Sequence, residues 1–242
     1  MRDHLKALSA IKKWLCLVFA SGCVNSGGWI AAAKFTTHVT GFATLFGINL
    51  SRHHWFEALA ISSIPVYFMA GAMLSALMVD RRIQRDLPPL YGLPILLSAG
   101  LLALAALGGE SGWFGMFGKD SAISDEYVLL LVLALASGLQ NAAVTTATGA
   151  VMRATHMTGL TTDLGLGLVR YFYLSGPERR IEVRATMVRT LTLLFFLGGS
   201  VAGAYFFLTM QYQGFLVPAG ISFVVALATT RTPDDDSDLT GN

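Results

Sequence analysis

Six apolar stretches dominate the chain, over roughly residues 14–33, 56–79, 93–108, 127–151, 190–210 and 214–229. Several reach the ~20 residues that an α-helix needs to cross a ~30 Å hydrocarbon layer. At that depth no water satisfies the backbone, so only helices and closed barrels can span it. A barrel needs apolar and polar residues to alternate along each strand, and these stretches are continuously apolar. Charged residues make up 13% of the 242-residue chain, against about 25% in a soluble domain. The reading is an all-α membrane protein, with residues 1–230 forming a single integral membrane domain embedded in a lipid bilayer. Residues 231–242, with Asp234, Asp235, Asp236 and Asp238, read as an acidic disordered tail.

The first stretch follows Arg2, Lys6, Lys12 and Lys13, and Ala20-Ser21-Gly22-Cys23 faintly resembles a lipoprotein cleavage box. Cleavage there would destroy the helix that carries Asn25, so the stretch is read as the first membrane helix. Cys16 and Cys23, seven residues apart on it, read as core or lipid-facing thiols rather than a disulfide.

Within this frame one polar phrase occurs twice. Thr37-His38-Val39-Thr40-Gly41 and Thr155-His156-Met157-Thr158-Gly159 both read T-H-x-T-G. Each has a further threonine, Thr44 or Thr162, and a base upstream, Lys34 or Arg153. The match extends outwards. Ser21-Gly22-Cys23-Val24-Asn25 aligns with Ser137-Gly138-Leu139-Gln140-Asn141, and Phe68-Met69-Ala70-Gly71 with Phe196-Leu197-Gly198-Gly199. Asn25 and Asn141 are 116 residues apart and the two histidines 118, so the register nearly holds. Internal similarity of this kind often marks transporter and channel folds. The repeats run over about 11–109 and 127–230.

The motif segments are poor spanning helices. Val39 to Leu50 has 12 residues, or roughly 18 Å at 1.5 Å per residue. Met157 to Leu174 is longer but contains Asp163 and Arg170. Both read as half-helices or broken, re-entrant segments. If only the six long stretches cross and the N-terminus is cytoplasmic, Arg81, Arg82 and Arg85 fall inside, as do Arg179, Arg180, Arg184 and Arg189. The loop with Glu110, Lys119, Asp120, Asp125 and Glu126 falls outside. This obeys the positive-inside rule, although Arg52, His53 and His54 then lie outside. Eight crossings would put the Arg81 loop outside. Six spans, three per half, imply two inverted repeats whose motif segments enter from opposite faces.

The run S-G-L-Q-N followed by T-H-M-T-G-x-x-T-D resembles the YoaK family, bacterial polytopic membrane proteins of unknown function. Members carry an F-x-x-H-x-T-G-N-like first motif and a T-x-x-T-G-x-x-T-D second motif. The first copy departs from this pattern, with Phe42 where asparagine is usual, while the second, ending in Asp163, is close to it. The resemblance covers about residues 14–230 and implies a multi-pass protein of the bacterial inner membrane. It implies no substrate.

As the start of a half-helix, the motif offers threonine as an N-cap and N–H groups that lack internal partners. Buried in protein, such groups need an acceptor, and an upstream base adds an anionic preference. The expected solute site comprises Asn25, His38, Thr40, Thr44, Asn141, Arg153, His156, Thr158, Thr162 and Asp163. The alternative is a structural crossing. Threonines bond their own backbone, glycines let helices approach, and Asn25, Gln140 and Asn141 act as packing glue. Asp163, a carboxylate in a membrane segment with Leu45 as its counterpart, suits either proton coupling or a structural pair with Arg153 or Arg170. The histidines suit proton relay. No carboxylate-rich or cysteine-bearing set accompanies them as metal ligands.

No phosphate loop, zinc-protease helix or nucleophile elbow is present, and no cofactor and no enzyme activity is expected. No basic patch with interleaved aromatics points to nucleic acid. The small-residue pairs Gly71/Ser75 and Gly199/Gly203 favour close helix contact, within the chain or in a homodimer. The leading expectation is a small-solute transporter or permease, proton-coupled and anion-preferring. The alternatives are a non-catalytic membrane subunit or partner protein, and an intramembrane enzyme using His38, His156 and Asp163.

Overall fold

The computed structural model describes residues 2–118 and 123–230. The acidic tail of residues 231–242, and Lys119 and Asp120 of the charged loop, lie outside the described residues. Among the described residues all regular structure is helical: α1 Arg2–Ala32, α2 Val39–Ser51, α3 Trp55–Met78, α4 Asp80–Ile83, α5 Gly92–Glu110, α6 Ile123–Ala147, α7 Met157–Tyr173, α8 Gly176–Met210 and α9 Leu216–Thr230.

Five stretches are long and apolar enough to cross a membrane: Ile11–Ala32, Trp55–Ile83, Gly92–Glu110, Tyr127–Ala147 and Gly176–Thr230. The chain is a multi-pass helical membrane protein. The last stretch has 55 residues, far more than one crossing uses. It is bent back on itself. Gln211 adopts φ +51°, and a 3-10 turn over Gln211–Phe215 leads into α9.

The direction of each helix follows from its contacts. α1 and α8 run parallel, with Phe19 against Gly199, Cys23 against Gly203 and Gly27 against Phe207. α3 and α6 also run parallel. Ile61 and Ile64 cluster with Tyr127, Leu130 and Ala134, and further along Gly71 meets Leu135 and Leu139. α5 and α9 are antiparallel, because Gly92 meets Ala226 and Thr230 whereas Gly109 meets Tyr212.

The two parallel crossings use equivalent residues. Gly22 rests on the Phe196 carbonyl and Gly138 on the Phe68 carbonyl. Gly199 rests on the Phe19 carbonyl and Gly71 on that of Leu135. Absence of a Cβ lets the backbones touch, which is how apolar helices gain packing where lipid offers no hydrophobic drive. Gly71, Gly199 and Gly203 are thus engaged within the chain. α1 packs on α6, α8 and α9, and α6 packs on α1, α3 and α5, so the halves interlock.

Gln140 ties this centre together. It is 3% exposed. Its Nε2 donates to the Leu17 carbonyl at 2.7 Å and to Ser21 Oγ at 3.1 Å. Its Oε1 accepts from Ser98 Oγ at 3.4 Å and Ser222 Oγ at 3.3 Å. One amide therefore joins α6 to α1, α5 and α9. Of the two thiols, Cys23 is buried and Cys16 exposed, and both are free.

α8 starts well before its apolar part, and the basic segment Arg179–Arg189 is helical. Glu182 holds it to α7, with Arg189 at 2.8 Å and Arg170 at 3.5 Å. The closing turns of α1 and α6 are also alike. Ala33 and Ala150 take φ +48° and +63°, the left-handed region that suits glycine at a helix end. Ala150→Gly is expected to raise stability by about 1 kcal/mol, the left-handed strain relieved less the added unfolded-state entropy, read as an upward shift in thermal unfolding. A downward shift would contradict the left-handed turn.

Candidate solute cavity

Both motif copies start a short helix in the same way. His38 and His156 are the N-cap residues of α2 and α7, at φ/ψ of −90°/73° and −94°/63°. Threonine, the expected cap, stands one residue earlier. Neither histidine caps the helix with its side chain. The first N–H groups of both helices thus lack a side-chain partner, and these ends carry partial positive charge. Each imidazole lies over its own first turn. A Cβ on Gly41 would come 2.8 Å from His38 Nδ1, and one on Gly159 would come 2.8 Å from His156 Cε1. The H-x-x-G spacing is therefore steric in origin.

The copies diverge in what touches the ring. Three residues before His38 stands Phe35, edge-on at 5.7 Å and stacked on Trp29 at 4.6 Å. Three residues before His156 stands Arg153, whose Nη1 is 2.8 Å from His156 Nδ1. A guanidinium can only donate, so Nδ1 accepts and the neutral ring carries its proton on Nε2. The other upstream base behaves differently. Lys34 Nζ donates to the Ala32 carbonyl at 3.3 Å and lies 5.4 Å from the Tyr127 ring centre. It does not line the cavity.

Both helix starts border one cavity of about 840 Å³, within the ~300–1,000 Å³ usual for small-molecule sites. Equivalent residues of the two halves line it: Asn25 and Asn141, His38 and His156, Thr40 and Thr158, Phe68 and Phe196. Of the residues expected from the sequence, these six polar ones and Arg153 are in the wall. Thr44, Thr162 and Asp163 are not, because they lie a turn further along α2 and α7. The Thr44 and Thr162 hydroxyls donate to the carbonyls of Thr40 and Thr158, at 3.1 and 3.2 Å. Asp163 is exposed, and Arg170 pairs with Glu182 instead. Asn141 also anchors the second motif, its Oδ1 accepting the Thr155 N–H at 3.2 Å.

The sequence reading missed Asp80 and Phe35 in the wall. Thr145 and Thr146, which extend the polar face of α6 beyond Asn141, also line it with Phe68 and Phe196. Asp80 follows Val79, which is packed in the same cluster as Met152 and Ala154. Its Oδ1 is buried and has no hydrogen-bond partner. Its signal was an acid abutting an apolar stretch at the head of an otherwise basic run. Among the described residues no group of three His, Cys, Asp or Glu is placed to hold a metal ion.

The ring geometry can be checked directly. Nitrogen NMR of labelled histidine should show His156 as the neutral Nε2–H form, and both Arg153→Gln and Gly159→Ala should disturb that signal. A His156 protonated on Nδ1 would contradict the contact.

Fold and cavity together define a class: a helical multi-pass membrane protein whose polar chamber is walled by two copies of one motif. Over residues 14–228 the chain matches the family described as "Protein of unknown function (DUF1275)". It belongs to that family, which is the YoaK family. No curated protein and no solved structure matches it.

Proposed function

We propose that this protein is a small-solute transporter of the bacterial inner membrane, and that the cavity between the two T-H-x-T-G segments is its solute site. It has six spanning helices in two inverted three-span repeats, with the N-terminus in the cytoplasm. Helix direction supports this topology. α1, α5 and α8 point one way and α3, α6 and α9 the other only if α2 and α7 do not cross. Had both crossed, α5 and α9 would run parallel, whereas they are antiparallel. The basic segments Arg81–Arg85 and Arg179–Arg189 then share the cytoplasmic side with Lys12 and Lys13.

The observation that carries the reading is the lining of one cavity by equivalent residues of both halves. Inverted repeats around a central site are the frame of alternating access. Arg153 and two uncapped helix starts favour a solute with an anionic group. The protein acts without a cofactor and is not an enzyme in this reading. The cavity gives Asp163 no coupling role, since its wall does not include that residue.

The test is thermal unfolding of the purified protein against small carboxylates, phosphates, amines and amino acids. At least one solute should raise the melting temperature by several degrees, and Arg153→Gln and His156→Ala should each remove the shift. Proteoliposomes should then accumulate that solute. No shift with any solute, together with variants as stable as the parent and a protein that co-purifies with them, would favour the partner-subunit reading.

A further inference from the structure

We infer that the solute is a zwitterion, an α-amino acid in chemical class, held by its carboxylate at Arg153 and by its ammonium group at Asp80. The inference rests on the cavity being the solute site. Two charged side chains line that cavity, one of each sign. Among the described residues Arg153 has neutral His156 as its close partner and no carboxylate, so its charge is not cancelled there. Asp80 makes no ion pair among the described residues, and its Oδ1 is both shielded from solvent and without a hydrogen-bond partner. A carboxylate oxygen in that condition is costly unless a cation or donor supplies what the protein does not.

The two charges lie at the same end of the cavity. Asp80 is the first residue after Val79, and Arg153 stands between Met152 and Ala154, the three neighbours belonging to one packed cluster. One small molecule can therefore address both. A simple anion would leave Asp80 repelling it, and a simple amine would meet Arg153. A zwitterion satisfies both groups and leaves the cavity neutral. The same lining includes Phe35, Phe68 and Phe196, surfaces that accept an apolar side chain. The first motif supplies no cation, because Lys34 is turned to the Ala32 carbonyl and Tyr127. The carboxylate end is thus fixed at the second motif.

The experiment is thermal unfolding and calorimetric binding on the full-length protein in detergent. The probes are the twenty common α-amino acids, with 3-phenylpropionate and 2-phenylethylamine as analogues lacking the amine or the carboxylate. At least one apolar amino acid should bind, and each analogue should bind at least tenfold more weakly. Asp80→Asn should lower amino-acid affinity at least tenfold without weakening 3-phenylpropionate. Arg153→Gln should weaken both. Equal binding of 3-phenylpropionate and the amino acids, lost in Arg153→Gln but not in Asp80→Asn, would overturn the zwitterion and leave an anion site standing. Silence from every acid, amine and amino acid would overturn the inference and the site together.

Discussion

Gly138→Leu is expected to cost at least about 3 kcal/mol and to leave little monodisperse protein. The position has no room. A Cβ there would strike the Phe68 carbonyl oxygen and come 3.1 Å from the Ala72 amide nitrogen. Both are backbone atoms of a packed helix, so neither can turn aside as a side chain would. Gly22→Leu should fail to a similar degree, because the Phe196 carbonyl and the Ser200 amide block it in the same way. Gly100 and Gly220 are the controls, with nothing within 4 Å of either. Alanine at these sites should be neutral or stabilise by up to ~1 kcal/mol, the difference in helix propensity. Size-exclusion profiles and thermal unfolding of the four variants decide the matter. If Gly138→Leu behaves like Gly100→Ala, the α3–α6 crossing described above is wrong.

Gln140→Ala carries the second large effect, a loss of about 2–4 kcal/mol if each of its four bonds is worth roughly 0.6–1 kcal/mol inside a membrane. Truncation would leave the Ser222 hydroxyl without its acceptor and open a void where α1, α5, α6 and α9 meet. Asn141, one residue on, faces the cavity and bonds the Thr155 amide. Asn141→Ala should lower stability far less than Gln140→Ala while abolishing any ligand-induced shift. Unfolding curves with and without a bound amino acid separate the two. Equal destabilisation by both variants would show that the central amide does not hold the helices together.

The pairing of the two neighbouring amides shows where sequence reasoning reaches its limit. Gln140 and Asn141 stood together as candidate glue or ligand contacts, and only the rotation of α6 about its axis assigns one to packing and the other to the chamber. The repeat itself was legible because glycines and phenylalanines at the crossings recur with the motif at nearly constant offset. The shortness of α2 was legible from the polar residues that flank the twelve-residue stretch Val39–Leu50. Asp163 was over-read. It stands at a motif position, but a residue four beyond Gly159 is more than one turn away and leaves the wall. Asp80 was passed over beside Arg81 and Arg82, since the shielding of its Oδ1 depends on Val79, at the end of α3, packing in one cluster with Met152 and Ala154. The partners of Arg170 and Lys34 were likewise set by neighbouring elements, Glu182 on α8 and Tyr127 on α6, whose register no single-chain pattern reveals.

The interlocking of the halves has a consequence for how the protein is made. Translation delivers α1 and α3 to the membrane before α6 and α8 exist. At that stage α1 has met none of the helices it mainly packs on, and the bare backbones at Gly22 and Gly71 face lipid. The early half is a set of inserted but undocked helices, and assembly waits for the late half to thread between them. Residues 1–118 produced alone should therefore be cleared by membrane proteases, as should residues 119–242. Made together in one cell as separate chains, the two pieces should protect each other and co-purify.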